Sequence, residues 1–162
     1  MSERIEALKE KLAAARARLN SILDAVGDRW ETSVYADGQG WTVRQIVIHL
    51  ADADRGNNRQ AMGIAEGHEV IPEDFDLERY NRRTIEKKGE QSVEEARASL
   101  AQTRAELLAW LETIDEAALD RTGRHASLNI FSVEQILRIM ASHERDHAND
   151  IARALGIRVG ND

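Results

Sequence analysis

The order of apolar and polar positions along the chain predicts four long amphipathic helices. In the first, apolar residues recur at helical spacing over residues 2–26, and Gly27 follows at a position suited to ending a helix. This apolar set consists of Ile5, Leu8, Leu12, Leu19, Ile22 and Leu23. Further helices with the same kind of stripe are predicted over residues 42–66, from residue 92 onwards, and from residue 132 to a stop at Gly156.

The last three long helices carry an explicit start signal. Thr42, Ser92 and Ser132 are each followed three residues later by Gln or Glu. In such a capping box the hydroxyl accepts an otherwise unpaired backbone N–H of the first turn, and the Gln or Glu side chain accepts the backbone N–H of the cap residue. The pattern therefore predicts where these three helices begin.

Three connectors separate the helices. Residues 27–41 hold three aromatic residues and a turn at residues 37–40, and we expect this apolar segment to fold back on the end of the helices. Residues 67–91 contain Pro72 and a predicted short helix over residues 76–88, long enough for a crossover or a lid. Residues 115–131 are predicted to be a third connector.

Composition agrees with an all-α protein. The chain has 162 residues, of which 42% are hydrophobic, and it contains one proline. This length suits one domain, so residues 1–162 are predicted to form a single four-helix bundle whose stripes are buried against each other.

Net charge, the length of the apolar runs and cysteine content exclude several classes of function. The net charge is -7, and arginine is interspersed with glutamate, which argues against nucleic acid as a partner. No apolar run is long enough for a membrane span or a signal peptide. The chain has no cysteine, which excludes disulfides and thiolate ligands and fits a cytoplasmic location.

Two histidines in the last helix predict a metal site. His143 and His147 are four residues apart, so both rings lie on one side of the helix, one turn apart. They fall in the middle of the apolar stripe formed by Ile136, Met140, Ile151 and Ala154, where two unpaired imidazoles would cost about 1–3 kcal/mol each. A shared cation would satisfy both rings.

A third histidine, on the second helix, is a further candidate ligand. His49 flanks the apolar stripe of the second helix and is expected to face the interior. Three imidazoles from two helices would leave coordination positions open, which is typical of catalytic rather than structural sites. A metal-free bundle, in which the histidines only bond each other, is the alternative.

The remaining histidines, and the aspartates close to the three candidate ligands, are weaker candidates for a role in the site. We expect His68 and His125 to be solvated in connectors, and Asp52 and Asp146 to lie on solvated helix flanks. Asp150 lies seven residues after His143, closer to the inward face. It is our candidate for accepting the second ring N–H of a histidine ligand and so orienting that ring.

Three segments in this order resemble the DinB/YfiT superfamily. The first is the run from Trp41 to Asp52, which contains Thr42, Arg44 and the His49-Leu50 pair. The second is residues 75–81, and the third is residues 131–151 with His143-Glu144-Arg145-Asp146-His147. Relatives usually show Gly-Gln after the last ligand, whereas this chain has Asn149-Asp150.

The resemblance implies an up-up-down-down-like four-helix bundle with a long crossover between helices two and three. It implies one divalent metal ion, often nickel or zinc, held by His49, His143 and His147, and frequently a homodimer.

Function follows from the resemblance as an expectation. Characterised relatives are mostly metal-dependent transferases or isomerases that use low-molecular-weight thiols. We therefore expect a metal-dependent enzyme acting on a small molecule, such as a thiol S-transferase or isomerase. Arg44, Arg55 and Arg145 are candidates for recognising the carboxylates of the thiol. The alternative is a non-catalytic helical protein that binds a metal or small ligand.

Overall fold

A computed structural model describes residues 2–36 and 40–160 and confirms the predicted helices. They are α1 (Glu3–Asp24), α2 (Val43–Ala65), the short α3 (Leu77–Lys88), α4 (Val93–Leu111) and α5 (Val133–Leu155). Of the turn predicted at residues 37–40, only Gly40 lies within the described residues.

Helix starts follow the capping signals closely. Thr42 and Ser132 form complete capping boxes. At Ser92 the hydroxyl accepts the N–H of Glu95 as predicted, but the Glu95 carboxylate contacts the Ser92 hydroxyl rather than its backbone N–H. Helix α5 ends where Gly156 adopts a left-handed conformation, with φ of 66°.

Side-chain contacts fix the directions of the first and last helices. Arg4 at the start of α1 pairs with Glu134 at the start of α5. Arg18 near the end of α1 bonds Asn149 near the end of α5. The two helices therefore run parallel.

Helices α2 and α4 are also parallel to each other and run opposite to α1 and α5. Arg44 at the start of α2 bonds the backbone before α4, and Asn58 further along α2 bonds the carbonyl of Thr103. The order is up-down-down-up, so the expected up-up-down-down arrangement is wrong. Parallel neighbours cannot be joined by a tight turn, and residues 66–92 with α3 supply the predicted crossover.

Two apolar clusters fill the bundle. One surrounds Leu19, Ile46 and Ile151, and the other surrounds Leu8, Leu107 and Ile136. All six apolar residues predicted on α1 are buried, whereas Ala154, expected on the inward face of α5, is exposed because the stripe shifts to Ala148 and Ala152.

A buried ionic layer lies between the two clusters. It consists of Arg16, Asp54, Arg104 and Glu144, one from each long helix. Arg16 makes a bidentate contact with Glu144, and the Thr103 hydroxyl donates to Asp54 at 2.8 Å. Asp54, Arg104 and Glu144 are buried, and Arg16 reaches them from a partly buried position on α1, so this layer ties all four helices together.

The connector before α5 is more ordered than predicted. It contains a short 3₁₀ helix (Glu116–Asp120) and a hairpin of β1 (Thr122–Arg124) and β2 (Ile130–Ser132). Gly123 lets the hairpin approach α2, because a Cβ there would lie 2.6 Å from Ile64. The hairpin thereby brings His125 against α2. Among the described helices, none combines the length and apolar character needed to cross a bilayer.

Candidate metal centre

The three predicted histidines meet between α2 and α5. Nε2 of His143 lies 3.1 Å from Nε2 of His49 and 3.1 Å from Nε2 of His147. Two ligand nitrogens on one tetrahedral zinc ion are about 3.3 Å apart, given Zn–N bonds of about 2.0–2.1 Å. The observed spacing is thus close to that of three ligands on one cation. Among the described residues, His49, His143 and His147 form the group of potential metal ligands whose ligand atoms lie close together.

Burial keeps these imidazoles neutral. Burial, together with the neighbouring His143 and His147, lowers the pKa of His49 to about 2. Burial lowers the pKa of His143 to about 4, and it also lowers the pKa of His147 against the opposing effect of Asp150. Neutral rings carry the lone pairs that a metal ion requires.

A tyrosine from the first connector orients His147. The Tyr35 hydroxyl donates to Oδ2 of Asp150 at 2.7 Å and lies 2.8 Å from Nδ1 of His147. Because the hydroxyl hydrogen points to Asp150, its oxygen accepts the Nδ1–H of His147. The Nε2 of His147 therefore keeps its lone pair and points to the other two rings. Burial and the bond to Asp150 raise the pKa of Tyr35, so its hydroxyl stays protonated.

The chemistry of the donor set fits a divalent cation. A neutral imidazole has one N–H, so His143 Nε2 can donate to only one of its two neighbours. Without a cation, one of the two short nitrogen–nitrogen contacts stays unsatisfied, at a cost of about 1–3 kcal/mol. A cation shared by three lone pairs removes this conflict, and imidazole ligands suit zinc, nickel, copper and iron.

A cavity opens on one side of the triad. Its volume is about 270 Å³, and it runs along α2 under the crossover. His49 and His143 line it, whereas His147 is covered by Tyr35. Apolar side chains of the crossover, among them Ile71 and Phe75, form the opposite wall. An exchangeable ligand of a bound metal would enter from this cavity.

His125 is not the solvated loop residue that we predicted. The hairpin places it in the cavity wall with 7% of its surface exposed. The Ser127 N–H donates to its Nδ1, so Nε2 carries the hydrogen and donates to Asn57 Oδ1 at 2.8 Å. His68 is exposed as predicted.

The carboxylates near the triad occupy different environments. Asp150 contacts Tyr35 rather than an imidazole, so it acts on His147 through the tyrosine. Asp146 is exposed, as predicted. Asp52 was expected on a solvated flank, but its side chain is 11% exposed, pairs with Lys88 and lines the cavity beside His49.

The arginines proposed for carboxylate recognition lie outside the cavity. Arg44 pairs with Glu31 and bonds backbone carbonyls before α4, and Arg55 bonds Ser99. Arg145 is exposed on α5 and is absent from the cavity lining. Arg59 lines the cavity instead, and it has no hydrogen bond or ion pair to any described residue.

Two aromatic residues of the first connector, Tyr35 and Trp41, contact the candidate ligands, and their roles were not predicted from the sequence. Tyr35 belongs to the apolar segment predicted to fold back on the bundle, but nothing in its spacing relates it to His147. Trp41 packs on His49, with ring centroids 4.7 Å apart and planes tilted by 43°. Its position directly before the capping residue Thr42 was the available signal, because such a residue packs against the first turns of the helix.

Comparisons with known proteins agree with this architecture. The family model of the DinB superfamily matches residues 11–151. A solved structure described as YfiT from Bacillus subtilis, "a probable metal-dependent hydrolase with an unusual four-helix bundle topology", superimposes with a TM-score of 0.78. The YfiT sequence is 21% identical to that of this chain, and the match covers 98% of this chain and 91% of the YfiT chain.

The similarity to YfiT establishes the fold class, a four-helix bundle of the YfiT topology. The family match runs from Lys11 in α1 to Ile151 in α5, so it includes parts of all four long helices and the three histidines. The chain belongs to the DinB superfamily.

Proposed function

We propose that this protein is a metal-dependent enzyme that activates a nucleophile for attack on a small molecule in the cavity beside His49 and His143. The observation that carries the proposal is the convergence of three neutral imidazoles, with His143 Nε2 3.1 Å from each partner, at the end of that cavity. A divalent cation held there would act as a Lewis acid and lower the pKa of a bound thiol or water.

The protein's own residues would supply position and proton transfer. Tyr35 and Asp150 hold His147 in the tautomer that leaves Nε2 free. The crossover forms one wall of the cavity, where its apolar side chains would limit the access of water to a bound substrate. Asp52 lies in the cavity wall three residues after His49, where its carboxylate could accept a proton from the nucleophile.

The first candidate reaction is transfer of a low-molecular-weight thiol, or isomerisation assisted by one, with nickel or zinc as the metal. The family resemblance supports this reaction class. The cavity of about 270 Å³ lies just below the range of about 300–1,000 Å³ for drug-sized ligands, so it suits a small acceptor.

Hydrolysis is the second candidate. The structure with the matching fold is described as a probable metal-dependent hydrolase. Asp52 in the cavity wall would supply the general base that activation of water needs. A non-catalytic role in metal or ligand binding is the remaining alternative.

An activity comparison tests the proposal. The full chain, loaded with zinc or nickel, is assayed with small electrophiles plus a low-molecular-weight thiol, and separately with small esters and amides. We expect turnover in one panel, with loss of at least about 100-fold in His143→Ala. His68→Ala changes an exposed histidine and serves as the matched control.

Equal turnover in His143→Ala and the parent would contradict the proposal. Metal binding without turnover in either panel would favour the non-catalytic alternative. We also propose a homodimer, as the resemblance implies, which sedimentation of the purified chain would test. The absence of cysteine supports a cytoplasmic location.

A further inference from the structure

The cavity has a second polar end, away from the triad of His49, His143 and His147. Gln60 lies eleven residues after His49 on α2, a rise of about 16 Å along the helix axis. Ala53, Gly56 and Asn57 lie between them and also line the cavity, because they share one face of α2. The cavity therefore extends along three turns of the helix, from the triad to Gln60.

Gln60 presents an unused donor at this end. Only 5% of its surface is exposed. Its Oε1 accepts the backbone N–H of Ala126 at 2.9 Å, and this bond fixes which end of the amide is oxygen. Its Nε2 makes no hydrogen bond to any described residue. Because Gln60 lines the cavity, this donor is available to a ligand or to water.

The backbone beside this donor leaves room for a ligand. Gly56 lies in the interior of α2, where alanine would be more favourable by about 1 kcal/mol. A Cβ on Gly56 would meet only the Gln60 Nε2 within 4 Å, at 3.8 Å. Close packing therefore does not require glycine here, and the missing side chain widens the cavity next to the donor.

The surrounding groups define which kind of ligand this donor would bind. The hydrogen-bonded His125 and Asn57 pair lies in the same wall and is neutral, because burial lowers the pKa of His125. Arg59 adds an unpaired positive charge to the lining. Between the two ends the walls are mostly apolar, with Val70, Ile71 and Phe75 from the crossover.

We propose that Gln60 is a specificity residue that binds a carbonyl or carboxylate oxygen at the far end of an elongated, apolar substrate whose other end reaches the metal centre. This inference rests on the proposed function, because it takes the reacting end of the substrate to lie at the triad. It assigns the substrate class as small molecules with an apolar middle and a terminal oxygen acceptor.

A chain-length series tests the inference. The probes are ω-mercaptoalkanoates with about two to ten methylene groups, compared with alkanethiols of equal length, each titrated into the zinc-loaded full chain. We expect roughly ten-fold tighter binding of the carboxylate compounds at one chain length, because only that length brings the oxygen to Nε2. At that length the side-chain amide resonances of Gln60 should also shift.

Gln60→Glu keeps an oxygen for the Ala126 N–H and removes the free donor. We expect it to abolish the preference for the carboxylate compound. Gln102→Glu makes the same charge change on the exposed face of α4 and should retain the preference. The amide resonances of the parent protein give a readout that does not depend on either variant folding.

The outcomes separate this inference from the proposed function. If zinc does not bind, the proposed function fails, and the inference fails with it. If zinc binds but no chain length is preferred, or if the Gln60 resonances do not move, the inference alone is wrong. A preference that persists in folded Gln60→Glu also overturns it.

Discussion

The Tyr35 hydroxyl lies 2.8 Å from Nδ1 of His147 and so joins the first connector to the candidate metal centre. It donates at the same time to Asp150, and the three groups form a chain that fixes the imidazole tautomer. Outer hydrogen-bond partners of this kind typically change metal affinity by about 10–100-fold.

Tyr35→Phe is expected to weaken zinc or nickel binding by about 10–100-fold, because Nδ1 of His147 loses its acceptor. Competition with a chromophoric chelator measures the affinity. Tyr80→Phe removes a hydroxyl from the cavity lining without touching a ligand, and its affinity should match that of the parent. Equal affinity in Tyr35→Phe and Tyr80→Phe would show that the tyrosine does not orient the site.

The buried histidines predict how the metal-free protein responds to acid. The pKa of His49, His143, His147 and His125 is lowered in the folded state from an ordinary value of 6.5. Below pH 6.5 the unfolded chain binds protons that the folded chain does not, so the free energy of unfolding falls as pH falls.

Each buried histidine should contribute up to about 1.4 kcal/mol per pH unit in the window below pH 6.5 and above its own folded pKa. Urea unfolding of the metal-free protein at pH 7, 6 and 5 measures the effect. His68→Gln replaces an exposed histidine outside the cavity and serves as the matched control. Stability that is constant from pH 7 to 5 would disprove the buried, neutral state.

Glu144 is the shared partner of the two arginines in the buried ionic layer. Glu144→Gln leaves the charges of Arg16 and Arg104 with only Asp54, and we expect a loss of about 3–5 kcal/mol in the free energy of unfolding. Glu112→Gln breaks the exposed pair with Lys9 and should cost less than about 1 kcal/mol. Similar losses in the two variants would mean that the buried layer contributes no more than a surface pair.

Two glycines of α2 form a matched pair. A Cβ at Gly56 meets only Gln60 Nε2 at 3.8 Å, so Gly56→Ala should stabilise the protein by about 0.5–1 kcal/mol. A Cβ at Gly63 would lie 2.3 Å from Val70 Cγ2, so Gly63→Ala should destabilise it. Chemical unfolding measures both, and a loss of stability in Gly56→Ala would show that packing requires this glycine.

Most of the fold could be predicted because its signals are local. Capping boxes and apolar periodicity located the helices to within a few residues, as at Thr42 and Ser132. Helix direction could not be read in this way, since no local signal states which helices are parallel. The hairpin that carries His125 was missed because its strands have three residues each, and its pairing depends on contact with α2.

The part of the candidate site that could be predicted is the part whose residues are positioned by the periodicity of a single helix. His143 and His147 share a face of α5 by spacing alone, and the stripe on α2 placed His49 inward. Tyr35 and Gln60 depend on contacts between distant segments, which single-chain periodicity does not reveal. The buried layer did leave a signal, since Asp54, Arg104 and Glu144 stand at core positions of their helices.

The zinc K-edge X-ray absorption spectrum of the full chain with one equivalent of zinc reports which atoms bind the metal. We expect three imidazole nitrogens at about 2.0–2.1 Å, completed by an exchangeable oxygen ligand such as water. In His49→Ala the imidazole contribution should fall to two rings or the zinc should be lost. A spectrum dominated by oxygen ligands, or one unchanged in His49→Ala, would contradict a metal centre built from His49, His143 and His147.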